Sequence, residues 1–173
     1  MGSKLIPTLI CIAIIFLVIA LMKRGWSNRQ KSQKSWGKLS EVPLQYDEKN
    51  PLAVFPGTYV CTTLEGDWLE RVSVESLGVK SAGQLFIFDD GLIISRDGAQ
   101  DIYLSASEIQ GVRTESGVNG KFVEKDGLLV VSWLFGNHPV DSAFRTQFSE
   151  DKKTAQRMIL DLAPDAFTVL PHS

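Results

Sequence analysis

Cysteine and histidine are scarce in this sequence, with two of each among 173 residues, and their placement excludes most chemistry they could perform. Cys11 sits inside an apolar run and Cys61 in a stretch of strand character. No disulfide between them is expected, and neither has a metal-ligating neighbour at short spacing. Both read as small buried hydrophobes. His138 lies in a Gly-Asn-His-Pro turn and His172 one residue from the end, where no held geometry for proton transfer is expected. Serine is plentiful, but no Gly-x-Ser-x-Gly elbow exists. Gly117-x-x-Gly120-Lys121 is too short for a phosphate-cradling loop, and Asp89, Asp90, Asp97 and Asp101 flank turns without the spacing of a calcium loop. The sequence therefore reads as a non-enzyme, with no catalytic residue, cofactor or metal expected.

Acidic residues are absent from the first forty positions. Seven of the 18 basic residues (Lys4, Lys23, Arg24, Arg29, Lys31, Lys34 and Lys38) and none of the 20 acidic ones lie there, a charge of +7 that leaves −9 for residues 41–173. A globular part so acidic argues against nucleic acid as a partner, because displacing phosphate counterions needs a basic face.

Leu5 to Met22 contains no charge at all. As a helix, its eighteen residues would be about 27 Å long, close to the roughly 30 Å of bilayer hydrocarbon. Pro7 falls in the first turn, where its missing N–H costs little. A cleaved signal would have a shorter core and a small-residue cleavage site, whereas Ala20-Leu21-Met22-Lys23 follows this one. Cys11 in mid-run does not suit lipoprotein processing, and Ile6 does not suit myristoylation of Gly2. An uncleaved transmembrane anchor over residues 1–23 is expected. The basic excess follows the run, so the positive-inside rule places the short N-terminus outside and the C-terminal domain in the cytoplasm of a single-pass protein in the cell membrane. Trp26, Lys23 and Arg24 are the expected membrane-interface residues. Residues 24–40 read as a basic linker, each charge of which adds on the order of 1 kcal/mol of attraction to anionic lipid.

From residue 41 to 164 the texture changes to short β-branched and aromatic runs separated by Gly, Asp, Asn and Ser, the pattern of an antiparallel sandwich or barrel. Strands are expected near Gly57–Leu64, Arg71–Ser76, Gln84–Phe88, Gly91–Arg96, Ile102–Leu104, Ile109–Glu115, Leu128–Phe135 and Ala143–Phe148. Asp89-Asp90-Gly91, Asp97-Gly98, Asn119-Gly120 and Asp126-Gly127 supply tight turns, and Gly136-Asn137-His138-Pro139 separates the last two strands. Ser149 is a candidate cap for a final helix in which Ala155, Met158, Ile159 and Leu162 form one apolar stripe, ended by Pro164. Residues 165–173 read as a tail.

This order of strands and closing helix resembles the pleckstrin-homology-like fold. The stretch QLFIFDDGLIISRDGAQDIYLSASEIQGVR resembles an element of bacterial pleckstrin-homology-like domains, a hairpin followed by an I-x-L…I…V strand pair. Together with VRTESGVNGKFVEKDGLLVVSW and the preceding anchor, it is similar to a family of small actinobacterial single-pass membrane proteins. Those are named as transporter or export proteins, or as pleckstrin-homology-like domain proteins, and are often encoded beside pyrimidine-biosynthesis genes. The resemblance covers roughly residues 56–162 and implies a mainly β domain closed by one amphipathic helix.

Many pleckstrin-homology domains hold phosphoinositides through Lys and Arg in the first hairpin loop. The corresponding stretch here, Glu65-Gly66-Asp67-Trp68-Leu69-Glu70-Arg71, carries three acids and one base, so phosphoinositide binding is not expected. Arg113, Lys121 and Lys125 form a second basic group, interleaved with Glu115, Glu124 and Asp126. Trp68, Arg113, Lys121, Trp133 and Phe135 are the candidate contacts for a partner. The expected function is a membrane-tethered cytoplasmic binding or scaffold module, an accessory subunit of a larger membrane protein complex. The family naming supplies the alternative of a transport- or export-related membrane component.

Overall fold

The computed structural model describes residues 5–33, 35–118, 121–122 and 127–166. It divides into two compact units, Met1–Ser35 and Trp36–Ser173.

The first unit is one helix, α1 (Leu5–Gln33). It does not stop where the apolar run stops. The first ten residues of the expected linker are helical, because Lys23 to Gln33 contains no proline and is rich in long straight side chains that lose little freedom in a helix. Between Thr8 and Gly25 the mean hydropathy is 2.2 and none of the surface is buried. The apolar residues surround the axis instead of forming one stripe, which is the distribution of a helix immersed in an apolar medium. By length and composition this helix is able to cross a membrane.

The second unit is mainly β. Its strands are β1 (Ala53–Leu64), β2 (Asp67–Arg71), β3 (Ser81–Ile87), β4 (Gly91–Ile94), β5 (Ile102–Ser105), β6 (Ile109–Glu115), β7 (Gly117–Val118), β8 (Lys121–Phe122), β9 (Leu128–Phe135) and β10 (His138–Thr146). The antiparallel order β5-β4-β3-β1-β10-β9-β6 makes one curled half-barrel, with β2 paired to β1. β7 and β8 form a separate small hairpin. The twelve-residue β1 serves both halves: Ala53 to Tyr59 pairs with β3 and Gly57 to Leu64 with β10, with a bulge between Tyr59 and Cys61. Gly57, opposite Gly83 and Thr146, marks the corner. A Cβ there would collide with the Arg145 carbonyl and lie 2.7 Å from the Phe144 ring, so only glycine allows β10 to approach β1 this closely.

The inner face of this sheet is mainly apolar, with Tyr59, Leu85, Ile94, Val131, Phe135 and Phe144 among its most enclosed side chains. Its buried hydroxyls of Tyr59, Thr62 and Ser142 are hydrogen-bonded to one another at 2.6 and 2.7 Å. α3 (Ser149–Leu162) closes it, resting on β6, β9 and β10. Ala155 and Ile159 are fully buried, and Met158 and Leu162 pack at the edge of the same core, as the stripe requires. The cap differs from expectation. Phe148 occupies the cap position with extended backbone, Ser149 is already helical, and the Thr146 hydroxyl donates to the Phe148 carbonyl at 2.8 Å.

The compact unit begins at Trp36, ahead of the expected boundary at 41, because residues 36–50 are a strap around the barrel. Trp36 stacks on His138 with ring centroids 4.0 Å apart. Gly136, at φ 61°, lets the Trp36 carbonyl approach where any Cβ would collide. Leu39 enters the core, and the single turn α2 (Gln45–Glu48) lays Tyr46 edge-on against Phe88 at 4.7 Å. This strap covers the outer face of β4 at Ile93, which explains why β4 is apolar on both faces.

Candidate functional site

Two arginines of the domain, Arg113 and Arg96, are enclosed and bonded to groups of the fold. Arg113, on the outer face of β6, makes a bidentate pair with Asp141 of β10 (3.1 and 2.7 Å), donates to Ser132 at 3.0 Å and meets Glu115 at 2.8 Å. The Ser132 hydroxyl donates in turn to Asp141 at 2.6 Å. Burial alone would lower the Arg113 pKa, but the hydrogen bonds and charge of Asp141, then those of Glu115, raise it above its ordinary value. Beside this network Cys61, Leu128, Val130 and Ala143 form a second apolar cluster on the same face. Trp133 and Phe135 are core residues as well: they are 5% and 1% exposed, meet edge-on at 5.9 Å, and the Trp133 indole N–H donates to Ser142 at 2.9 Å. Arg113, Trp133 and Phe135, expected as partner contacts, are therefore held inside the fold. Apolar strand periodicity does not reveal which of two faces a tryptophan takes.

The connection from β1 to β3, residues 65–80, has a different character. The Glu65-Gly66 turn leads into β2, and Asp67 accepts the backbone N–H groups of Leu69 and Glu70 at 3.1 and 3.2 Å. The strand expected over Arg71–Ser76 ends at Arg71, since Glu75 and Ser76 both take positive φ, 51° and 56°. Val72, Val74 and Leu77 are buried nonetheless, and their spacing is the source of the apparent alternation.

Two adjacent left-handed non-glycine residues cost about 1–3 kcal/mol each and persist only where the surroundings fix them. Arg96, 3% exposed, does so. Its guanidinium donates to the Ser76 carbonyl at 3.0 Å, to the Glu75 carbonyl at 3.1 Å and to the Gln100 carbonyl, and lies 5.1 Å from the centre of the Tyr59 ring. Burial lowers the Arg96 pKa from its ordinary value, and it raises that of Tyr59, whose hydroxyl donates to Leu77 at 2.6 Å. Arg71 ties the two arms of the connection together by donating to Gly78 at 3.1 Å. The result is a braced platform that leaves Leu69 and Val79 each 58% exposed. Glu65, Asp67, Glu70 and Glu75 outnumber Arg71 and Lys80 along it.

A third constellation fastens the strap. Tyr46 donates to Asp90 at 2.7 Å, and Lys49 pairs with Asp89 and Asp90 at 2.5 and 2.8 Å. Lys49, then Tyr46, hold the Asp90 carboxyl below its ordinary range. The Tyr46 hydroxyl is pushed up by burial and by its bonds to Tyr103 and Asp90.

Of the remaining expected contacts, Lys23 and Arg24 are exposed on α1. The side chains of Trp26, Trp68 and Lys121 lie outside the described residues, although the backbone places Trp68 in β2 beside Leu69. Leu69, Val79 and Arg96 were not singled out from the sequence. Arg96 carried a signal, since a lone cation closing the run LIIS before Asp97-Gly98 sits where an inward side chain is equally possible.

Residues 36–161 match the family model described as Bacterial PH domain-like. No curated protein matches the chain. Solved structures that do include the C-terminal domain of an unknown protein from Leishmania infantum, 13% identical, over 69% of this chain and 89% of that one with a TM-score of 0.42. The Spt16D Pob3N heterodimer matches at 15% identity, over 72% of this chain and 58% of that one with a TM-score of 0.43. Vav1 inhibited by an allosteric inhibitor matches at 16% identity, over 82% of this chain and 34% of that one with a TM-score of 0.41. The chain thus spans less than two thirds of the second and third of these.

Proposed function

The chain belongs to the bacterial PH domain-like family, and from that premise we propose that it is a membrane-tethered binding module, an accessory subunit whose domain works at the cytoplasmic face of the cell membrane. The observation that carries the reading is α1: over Thr8–Gly25 it is apolar on every side and wholly uncovered, while the domain behind it has a complete core of its own. Such a helix in water would expose a continuous apolar surface, and a bilayer removes that cost. The basic residues that follow the apolar run favour a cytoplasmic domain. Tethering then concentrates the domain in two dimensions, so that modest affinity for another membrane protein suffices.

The partner is a protein rather than a phosphoinositide. Arg96 and Arg113 are enclosed and paired with groups of the fold, and the connection 65–80 carries more acid than base. A reporter fused after Ser173 tests the topology: it should be active only in its cytoplasm-dependent form, in membranes that resist carbonate extraction. Digestion of the domain by protease added to intact cells, or release of the chain by carbonate, sinks the reading.

A further inference from the structure

In the connection 65–80 strained backbone, exposed apolar side chains and an excess of one charge coincide. We infer that this platform is the docking surface for a basic, apolar-bearing juxtamembrane segment of another membrane protein. The inference rests on the reading of the chain as a membrane-tethered cytoplasmic module.

Three observations converge on it. The platform is braced from beneath: Arg96 holds the carbonyls of Glu75 and Ser76, Tyr59 holds that of Leu77, and Arg71 holds that of Gly78. Bracing of this kind keeps an outlying backbone conformation in place and removes the ordering cost of binding. On the outside, Leu69 and Val79 are both 58% exposed, and the first sits at the end of a turn fixed by Asp67. Along residues 65–80 four carboxylates, of which Glu65 and Asp67 are exposed, stand against two cations, so the segment repels phosphate and attracts Lys and Arg. The positive-inside rule makes Lys and Arg the usual flank of a membrane span on its cytoplasmic side. A tethered cytoplasmic domain therefore meets such flanks at high local concentration, and their apolar residues match Leu69 and Val79.

The test uses the full-length chain in its native membranes, with a photo-crosslinking aromatic residue replacing Leu69, Val79 or, on the strap, Leu44, which is 85% exposed. Products from positions 69 and 79 should map, by mass spectrometry, to a Lys/Arg-rich cytoplasmic flank of a membrane-spanning protein. Glu65→Lys, which leaves the Asp67 turn and the Arg96 brace intact, should cut their yield about three- to tenfold at unchanged membrane level and thermal midpoint, the loss expected when an exposed attraction is lost and a repulsion of similar size replaces it. Products mapping to lipid, to a second copy of this chain, or to a neutral or acidic surface overturn the inference, as does a yield indifferent to Glu65→Lys. Products from position 44 alone overturn the platform and leave the tethered module standing. No protein product from any of the three positions removes both.

Discussion

Arg113 and Asp141 set the energetic stakes at the level of single residues. Their side chains are 11% and 6% exposed, and together with Ser132 and Glu115 they satisfy one another almost completely. Such a pair contributes little over a well-packed apolar pair, but losing one member leaves a charge enclosed without its counter-ion. Asp141→Ala should therefore destabilise a truncated chain Trp36–Ser173 by about 3–5 kcal/mol. Arg113→Met combined with Asp141→Leu should cost far less. Urea unfolding followed by tryptophan fluorescence, to which Trp36, Trp68 and the buried Trp133 contribute, measures both, and an Asp141→Ala variant of undiminished stability would contradict the enclosed network.

At the level of elements, the strap decides where the domain starts. Residues 36–40 belong by sequence to a polar linker, yet Trp36 stacks on His138 and Leu39 is 7% exposed in the core. Burying a leucine contributes roughly 1.5–3 kcal/mol, and an aromatic stack about 0.5–1.5 kcal/mol more. A chain beginning at Ser40 should accordingly be less stable than one beginning at Trp36 by about 2–4 kcal/mol. Thermal and urea unfolding of the two side by side decides it: equal midpoints would mean that the strap adds nothing.

For the whole molecule the division of charge matters most. The chain carries +7 over residues 1–40 and −9 over 41–173, so an anionic surface is attracted by the first part and repelled by the second. Exposed single ion pairs contribute only about 0–1 kcal/mol, and a polyphosphate headgroup needs several convergent cations to be held. The truncated chain Trp36–Ser173 should sediment with anionic vesicles no more than with neutral ones at physiological salt. Lower salt should help little. Saturable, headgroup-selective binding by that fragment would contradict the protein-directed reading.

The apolar helix, the mainly β class, the turns at Asp89-Asp90-Gly91 and Asp97-Gly98, and the closing helix were all legible in the sequence. Each rests on a local rule: an uncharged run of eighteen residues, a turn residue between two apolar runs, a stripe at i, i+3, i+4 and i+7. Gly98 takes the positive φ expected of it (77°), whereas Gly91 begins β4 without one. The expected strand after Arg71, the linker boundary and the partner contacts depended on something else. Val72 and Val74 alternate as a strand would, but the chain around them is bent by Glu75 and Ser76, whose left-handed backbone is held by Arg96 some twenty residues away. Trp133 and Arg113 look alike as exposed anchors in one dimension, and only the order β1-β10-β9-β6 shows that one meets Ser142 in the core and the other Asp141 on the far face. Periodicity fixes that a strand has two faces. Which face is covered, and by what, depends on contacts between residues far apart in the chain, and those exist only once the sheet has curled and the strap has closed over it.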